Sequence, residues 1–148
     1  MKFLLDTNVI SELRKGRDAN PSLAKWWNGV EVADAYLSVM VLGEIRQGIE
    51  RLRLRDPDRA RQLEGWMESV VAGFGARVLT VNQAIAETWG KMGVRRTLPL
   101  VDSLLAATAI CHSLVLVTRN TRDIHDTGVR CLNPFDAERF RVRAGILG

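Results

Sequence analysis

Four acidic side chains fall at positions where a polypeptide can do chemistry: Asp6, Glu44, Asp102 and Asp123. Asp6 closes the apolar run Lys2-Phe3-Leu4-Leu5 and is followed by Thr7 and Asn8. Glu44 lies in the first turns of a long helical stretch, Asp102 at the start of a helix after Pro99, and Asp123 five residues beyond the end of a strand-like run at Thr118. Each has a plain local role. Asp, Thr and Asn cap helices, a surface glutamate is ordinary, an acid in a first turn complements the helix dipole, and an Asp in a turn closes an Asx turn. As a set they mean more, because four like charges close together cannot all stay ionised without compensation. A hard divalent cation supplies that compensation, since it prefers carboxylate oxygens and water.

The elements that must position these acids read as an alternation of strands and helices, the pattern of an α/β domain with a mostly parallel sheet of about five strands. Strands are expected at Lys2–Asp6, Tyr36–Val39, Arg77–Val81, Leu114–Thr118 and Val129–Leu132. Helices are expected over about Asn8–Lys15, from Asn20-Pro21-Ser22 through Trp26 and Trp27, over Val41–Leu54, and from Pro57 to near Gly73 and Gly75. Others should run from an Asn82 cap through Met92, over Val101–Ser113, and briefly over Asp136–Phe140. Val41, Leu42, Ile45, Ile49 and Leu52 recur at helical spacing on one face. Ligands of an open parallel sheet bind beyond the carboxyl ends of its strands. Asp6, Asp102 and Asp123 each have a simple route to that edge.

Composition sets the bounds. The chain has 148 residues, enough for one domain with a real core, and residues 1–148 are expected to form a single one. A charge enters too early at the N-terminus for a signal peptide, and no apolar run could span a membrane. Cys111 and Cys131 have no metal-ligand spacing and read as reduced core thiols of a cytoplasmic protein. The net charge of +4 permits a polyanionic partner without demanding one. Arg14, Lys15, Arg46, Arg95, Arg96, Arg119 and Arg122 are candidate contacts to a nucleic-acid backbone, Arg14, Arg46 and Arg119 foremost. Such contacts position a substrate without reading its sequence. Trp66 and Trp89 sit in apolar helical stripes and read as core or dimer packing. Trp26 and Trp27 are adjacent, so one helix face cannot bury both.

The segments carrying the acids resemble the motifs of PIN-domain ribonucleases, more narrowly the VapC-type toxins of bacterial toxin–antitoxin pairs and their FitB-like branch. Leu4-Leu5-Asp6-Thr7-Asn8-Val9-Ile10-Ser11-Glu12 is similar to the family's opening strand and first acid. Leu37-Ser38-Val39-Met40-Val41-Leu42-Gly43-Glu44-Ile45 is similar to the second motif, Leu98-Pro99-Leu100-Val101-Asp102-Ser103 with the apolar run after it to the third, and Leu116-Val117-Thr118-Arg119-Asn120-Thr121-Arg122-Asp123-Ile124 to the fourth. Ile124 stands where an aromatic is common, and the last acid is the least uniform ligand of such proteins. The resemblance covers nearly the whole chain. It implies a three-layer α/β/α sandwich, a homodimer that can pair into larger complexes with antitoxin and DNA, and an antitoxin that wraps a C-terminal segment over the toxin.

Hydrolysis of RNA phosphodiester bonds is the activity that this resemblance implies. Asp6, Glu44 and Asp102 are expected to bind Mg²⁺, with Mn²⁺ able to substitute, directly or through water, and Asp123 to complete the cluster or orient the attacking water. Thr7, Asn8, Thr118 and Asn120 are expected to hydrogen-bond the carboxylates or the phosphate. Two other readings fit less well. A phosphatase or receiver using Asp6 as nucleophile lacks its companions: Asn8 stands where a second Asp is wanted, and the third strand ends Thr80-Val81-Asn82 without an acid. A binding module that has lost activity has no need of four intact acids.

Overall fold

Leu4, Leu5, Leu37, Val115, Leu116 and Val117 are almost wholly buried, and they form the middle of a five-stranded, all-parallel sheet. A computed structural model of the chain describes residues 1–136. The helix expected at Asp136–Phe140 and the basic tail lie outside the described residues, except for Asp136. The strands are β1 (Phe3–Leu5), β2 (Ala35–Ser38), β3 (Val78–Leu79), β4 (Val115–Val117) and β5 (Cys131–Leu132). Their order across the sheet is β3-β2-β1-β4-β5. All five expected strands are present, most of them shorter than read.

The helices start where polar caps dictate. Asp6 caps α1 (Thr7–Leu13). Asn20 caps α2 (Pro21–Asn28) by accepting from the amides of Ser22 and Leu23, with Pro21 in the first turn where its missing N–H costs nothing. Ser38 caps α3 (Val39–Arg53) and Asp56 caps α4 (Pro57–Phe74). Ser38 is therefore the last strand residue and the cap at once, which moves β2 one residue earlier than expected and starts α3 at Val39. The α4 helix ends at Gly75, whose φ of 54° is left-handed and favours glycine. Asn82 caps α5 (Gln83–Met92). α6 (Leu100–Cys111) buries Leu105, Ala106, Ala107 and Ala109 and packs directly on β1 and β4. A four-residue helix, α7 (Thr121–Ile124), follows β4 where a turn was expected.

α1 to α4 pack on one another, as do α5, α6 and α7. Right-handed crossovers place the first group on one face of the sheet and α5 and α6 on the other, giving three layers. From β1 the chain winds outward through β2 to β3, then returns past β1 to lay down β4 and β5. The winding direction reverses between β1 and β4, and such a switch point opens a crevice at the carboxyl edge. Leu5 pairs with Val117 there, and the Asp6 amide donates to the Val117 carbonyl at 3.0 Å. Asp6 and Thr118 are thereby set side by side at the mouth of the crevice.

One packing expectation needs correction. Cys131 is buried, but Cys111 is exposed at the end of α6. Trp89, expected in core or dimer packing, is 39% exposed in the single chain, with its indole N–H donating to Ser103 Oγ at 2.9 Å. Trp66 is half-buried beneath the Arg14 guanidinium. Trp26 and Trp27 are both half-buried, Trp26 edge-on to Phe3.

Candidate active site

Asp6 is the most firmly held of the four acids. It is 4% exposed and accepts three hydrogen bonds. The Thr7 amide donates to Oδ1 at 2.7 Å, the Thr118 hydroxyl to Oδ2 at 2.6 Å, and the Asn8 amide group to Oδ2 at 3.3 Å. Thr118 Oγ1 in turn accepts from the Asn120 amide at 3.0 Å, and Asn8 Oδ1 accepts from the Arg119 amide at 3.3 Å. The ends of β1 and β4 are thus stitched together by side chains as well as by the strand ladder. All four residues expected to support the carboxylates lie near the cluster. Thr118, Asn8 and Thr7 bond carboxylates, whereas Asn120 bonds Thr118 through its main chain.

Glu44 is exposed on α3, and its Oε1 accepts from the Thr7 hydroxyl at 2.5 Å. Thr7 therefore links two acids, its amide holding Asp6 and its hydroxyl holding Glu44. Asp102 is half-buried in the first turn of α6. Next to it, the buried Ser103 hydroxyl donates back to the carbonyls of Pro99 and Leu100 at 2.8 and 2.9 Å, fixing that turn. Asp123 is exposed on α7.

The four acids act on one another. Burial pushes the Asp102 carboxyl up to about 6, helped by the negative charges of Asp6, Asp123 and Glu44. Four acids from four different elements thus share one patch of negative potential at the switch point. Among the described residues no three His, Cys, Asp or Glu side chains close around a single point as an ion's protein ligands. Magnesium does not require them to, because it keeps several waters and takes one or two carboxylates plus substrate phosphate. The donor set, all oxygen and in excess negative charge, fits a hard divalent cation of that kind.

The chain belongs to the PIN domain family. The family matches residues 3–129, which include all four acids. Two curated relatives are similar over most of their length. The toxin FitB of Neisseria gonorrhoeae is 29% identical over 138 residues, covering 90% of this chain and 98% of that protein. A ribonuclease VapC of Rickettsia bellii is 30% identical over 128 residues, covering 83% and 88%. Among solved structures, FitAcB from Neisseria gonorrhoeae superposes with a TM-score of 0.81 at 29% identity, covering 90% of this chain and 98% of that one. FitAB bound to a DNA fragment gives 0.80 at 28% identity, covering 90% and 96%.

The arginines of this PIN domain divide into engaged and available ones. Arg46 is ion-paired with Glu64 at 2.6 Å and Glu50 at 3.3 Å, and Arg53 joins the same network. Its guanidinium ties α3 to α4 and is already committed. Arg96 is committed too, to Asp126 and the Asp123 carbonyl. Lys15 pairs with Glu12 at 2.7 Å. Arg119, beside Thr118, lies with its guanidinium 4.0 Å over the Phe135 ring. Arg14 lies over Trp66 on the wall of a groove of about 810 Å³ between α1, α3 and α4, which reaches Thr7 and Glu44 at one end. Arg55 and Arg59 also line that groove. Nothing in their spacing marked them out, since the groove exists only once α4 folds back on α3. His125 is exposed, with Nδ1 against the Arg122 carbonyl.

Proposed function

We propose that this protein is a divalent-metal-dependent endoribonuclease, the toxin of a toxin–antitoxin pair acting in the cytoplasm, with residues 1–148 as one domain. The observation that carries the reading is the cluster at the switch point, where three other acids and burial raise Asp102 to about 6. Asp6, Glu44 and Asp102 would hold Mg²⁺ or Mn²⁺, and Asp123 would complete the cluster. When bound, the cation offsets charge at the reacting phosphate and makes water a competent nucleophile. The chain's own groups do the rest. Thr118 and the Thr7 amide fix the plane of the Asp6 carboxylate, and the Thr7 hydroxyl turns Glu44 toward it. Asp102, whose carboxyl burial and the neighbouring acids push up to about 6, would have to lose its proton to serve as a ligand. Arg14, on the wall of the groove that reaches Glu44, and Arg119, next to Thr118, suit backbone phosphates, holding RNA without reading it.

The partner reading rests on the similarity to the FitB toxin and on the groove. Ile45, Ile49, Leu52, Leu63 and Trp66 give it an apolar floor, and arginines stand at its walls. An amphipathic antitoxin segment suits such a channel, and from there it reaches Glu44. A homodimer that assembles further with antitoxin and DNA follows from the same likeness.

The test is cleavage of total RNA by partner-free protein in Mg²⁺, in Mn²⁺ and in EDTA, with Asp6→Asn and Asp102→Asn as controls. Discrete cuts that need metal and vanish in both variants are expected. A folded, metal-supplied protein that leaves every RNA intact would turn the reading to a binding module.

A further inference from the structure

Asp123 is the one acid of the cluster without an obvious mount. It sits on α7, which has only four residues and no side-chain cap at Asn120. A single turn of helix does not hold itself together, because nucleation costs more order than one hydrogen bond returns. Burial of Ile124 anchors one side of the turn. The other attachment comes from Arg96, on the loop between α5 and α6. Its Nε donates to Asp126 Oδ2 at 2.7 Å, and its Nη2 donates to Asp126 Oδ1 at 2.6 Å and to the Asp123 carbonyl at 2.7 Å. A two-pronged guanidinium–carboxylate pair is directional as well as strong. The grip also falls on the main chain of the acid itself and on the residue three positions beyond it.

We propose that Arg96 is a positioning residue, which holds Asp123 at the acid cluster by clamping the backbone that carries it. The inference rests on the nuclease reading for its effect on rate, but not for the clamp itself. Arg96 points its bonds at protein oxygens and so differs from Arg119, whose guanidinium lies over the Phe135 ring. Lysine cannot replace it fully, since an ammonium lacks the planar fork.

The test uses Arg96→Gln, Arg96→Lys and Asp126→Asn, each in the wild-type and Asp123→Asn backgrounds. The first readout is amide hydrogen exchange. Arg96→Gln and Asp126→Asn should speed exchange over residues 121–127 and leave α5 and α6 unchanged, with Arg96→Lys in between. Unchanged exchange over that segment would overturn the clamp, whether or not the protein cuts RNA. The second readout is cleavage of one RNA chosen from the total-RNA digest. Arg96→Gln should lower kcat roughly tenfold to a hundredfold, the usual cost of losing a group that orients a metal-site carboxylate, with KM and salt dependence unmoved. In the Asp123→Asn background the same change should add little. Equal losses in both backgrounds, or a raised KM with a shallower salt dependence, would make Arg96 a general scaffold residue or a phosphate contact and refute the proposal. Wild-type protein that cuts no RNA would defeat the nuclease reading alone, leaving the exchange result to decide the clamp.

Discussion

Asp6 and Asp123 bring the same carboxylate to the same cluster by opposite means. Asp6 directly follows a central strand, is buried, and accepts three hydrogen bonds from residues on α1 and just past the end of β4. Asp123 is exposed on a single turn that is tied down from outside by a side chain 27 residues away in sequence. The first corner is a by-product of building the sheet. The second is an attachment, and could be lost while the sheet stays whole. Central strands thus make the rigid acid, and the peripheral turn makes the adjustable one.

Removing the charges should show the contrast most strongly. Asp6→Asn or Asp102→Asn should cut the cleavage rate on the order of a thousandfold, as expected when several kcal/mol of charge stabilisation is lost. Asp123→Asn should cost clearly less. A single-turnover assay at saturating Mg²⁺ checks the order, and an equal loss at all three positions would abolish the distinction between rigid and adjustable corners.

Thr118→Val keeps the shape and removes the closer of two donors to Asp6 Oδ2, leaving that buried oxygen with only the 3.3 Å bond from Asn8. A cost of about 1–3 kcal/mol in stability is expected, with a rate loss of roughly tenfold or more. Urea unfolding and the same cleavage assay measure the two. A rate loss without a stability loss would mean that Asp6 finds another donor.

The pH dependence follows from Asp102. Its folded value of about 6 lies above its ordinary 3.8, so between these values the folded protein binds more protons than the unfolded one. Stability from this group therefore falls as pH rises from about 4 to about 6, while activity should rise through the same upper range. Asp102→Asn removes the repulsion and should raise Tm at neutral pH by roughly 3 °C. Millimolar Mg²⁺ should raise the wild-type Tm and leave that of the variant almost unchanged. Thermal scans at pH 4.5 and 7.5 check both. Asp126, held at about 2 by the Arg96 guanidinium, behaves in the opposite sense: its contribution is present above its ordinary value and is lost as pH falls toward 2.

The smallest effect is expected far from either corner. Glu64→Gln breaks the half-exposed network of Arg46 and Arg53, and partly exposed ion pairs are worth about 1 kcal/mol or less. Tm should move slightly and cleavage not at all. A large activity loss would mean that the α3–α4 pair shapes the acid cluster as well as the groove.

The difference between the corners also explains what the sequence made legible. The strand ends, the Asn20, Asp56 and Asn82 caps and the acids at Asp6 and Asp102 are local signals: an apolar run, a turn, an oxygen-bearing residue. Ser38 was harder, because one residue serves as both strand and cap. The Arg96–Asp126 pair, the commitment of Arg46 to Glu64 and the groove under Trp66 all join segments that periodicity treats separately.

The bond between Thr118 and Asp6 joins residues 112 positions apart. Pairings of such long range form late, because the loop between them must close before the contact offers any return. A chain made from its N-terminus onward cannot complete this crevice until β4 has been synthesised and inserted beside β1. A protein proposed to cut RNA is itself made on RNA, and this topology leaves the acid cluster of the growing chain incomplete until β4 is in place.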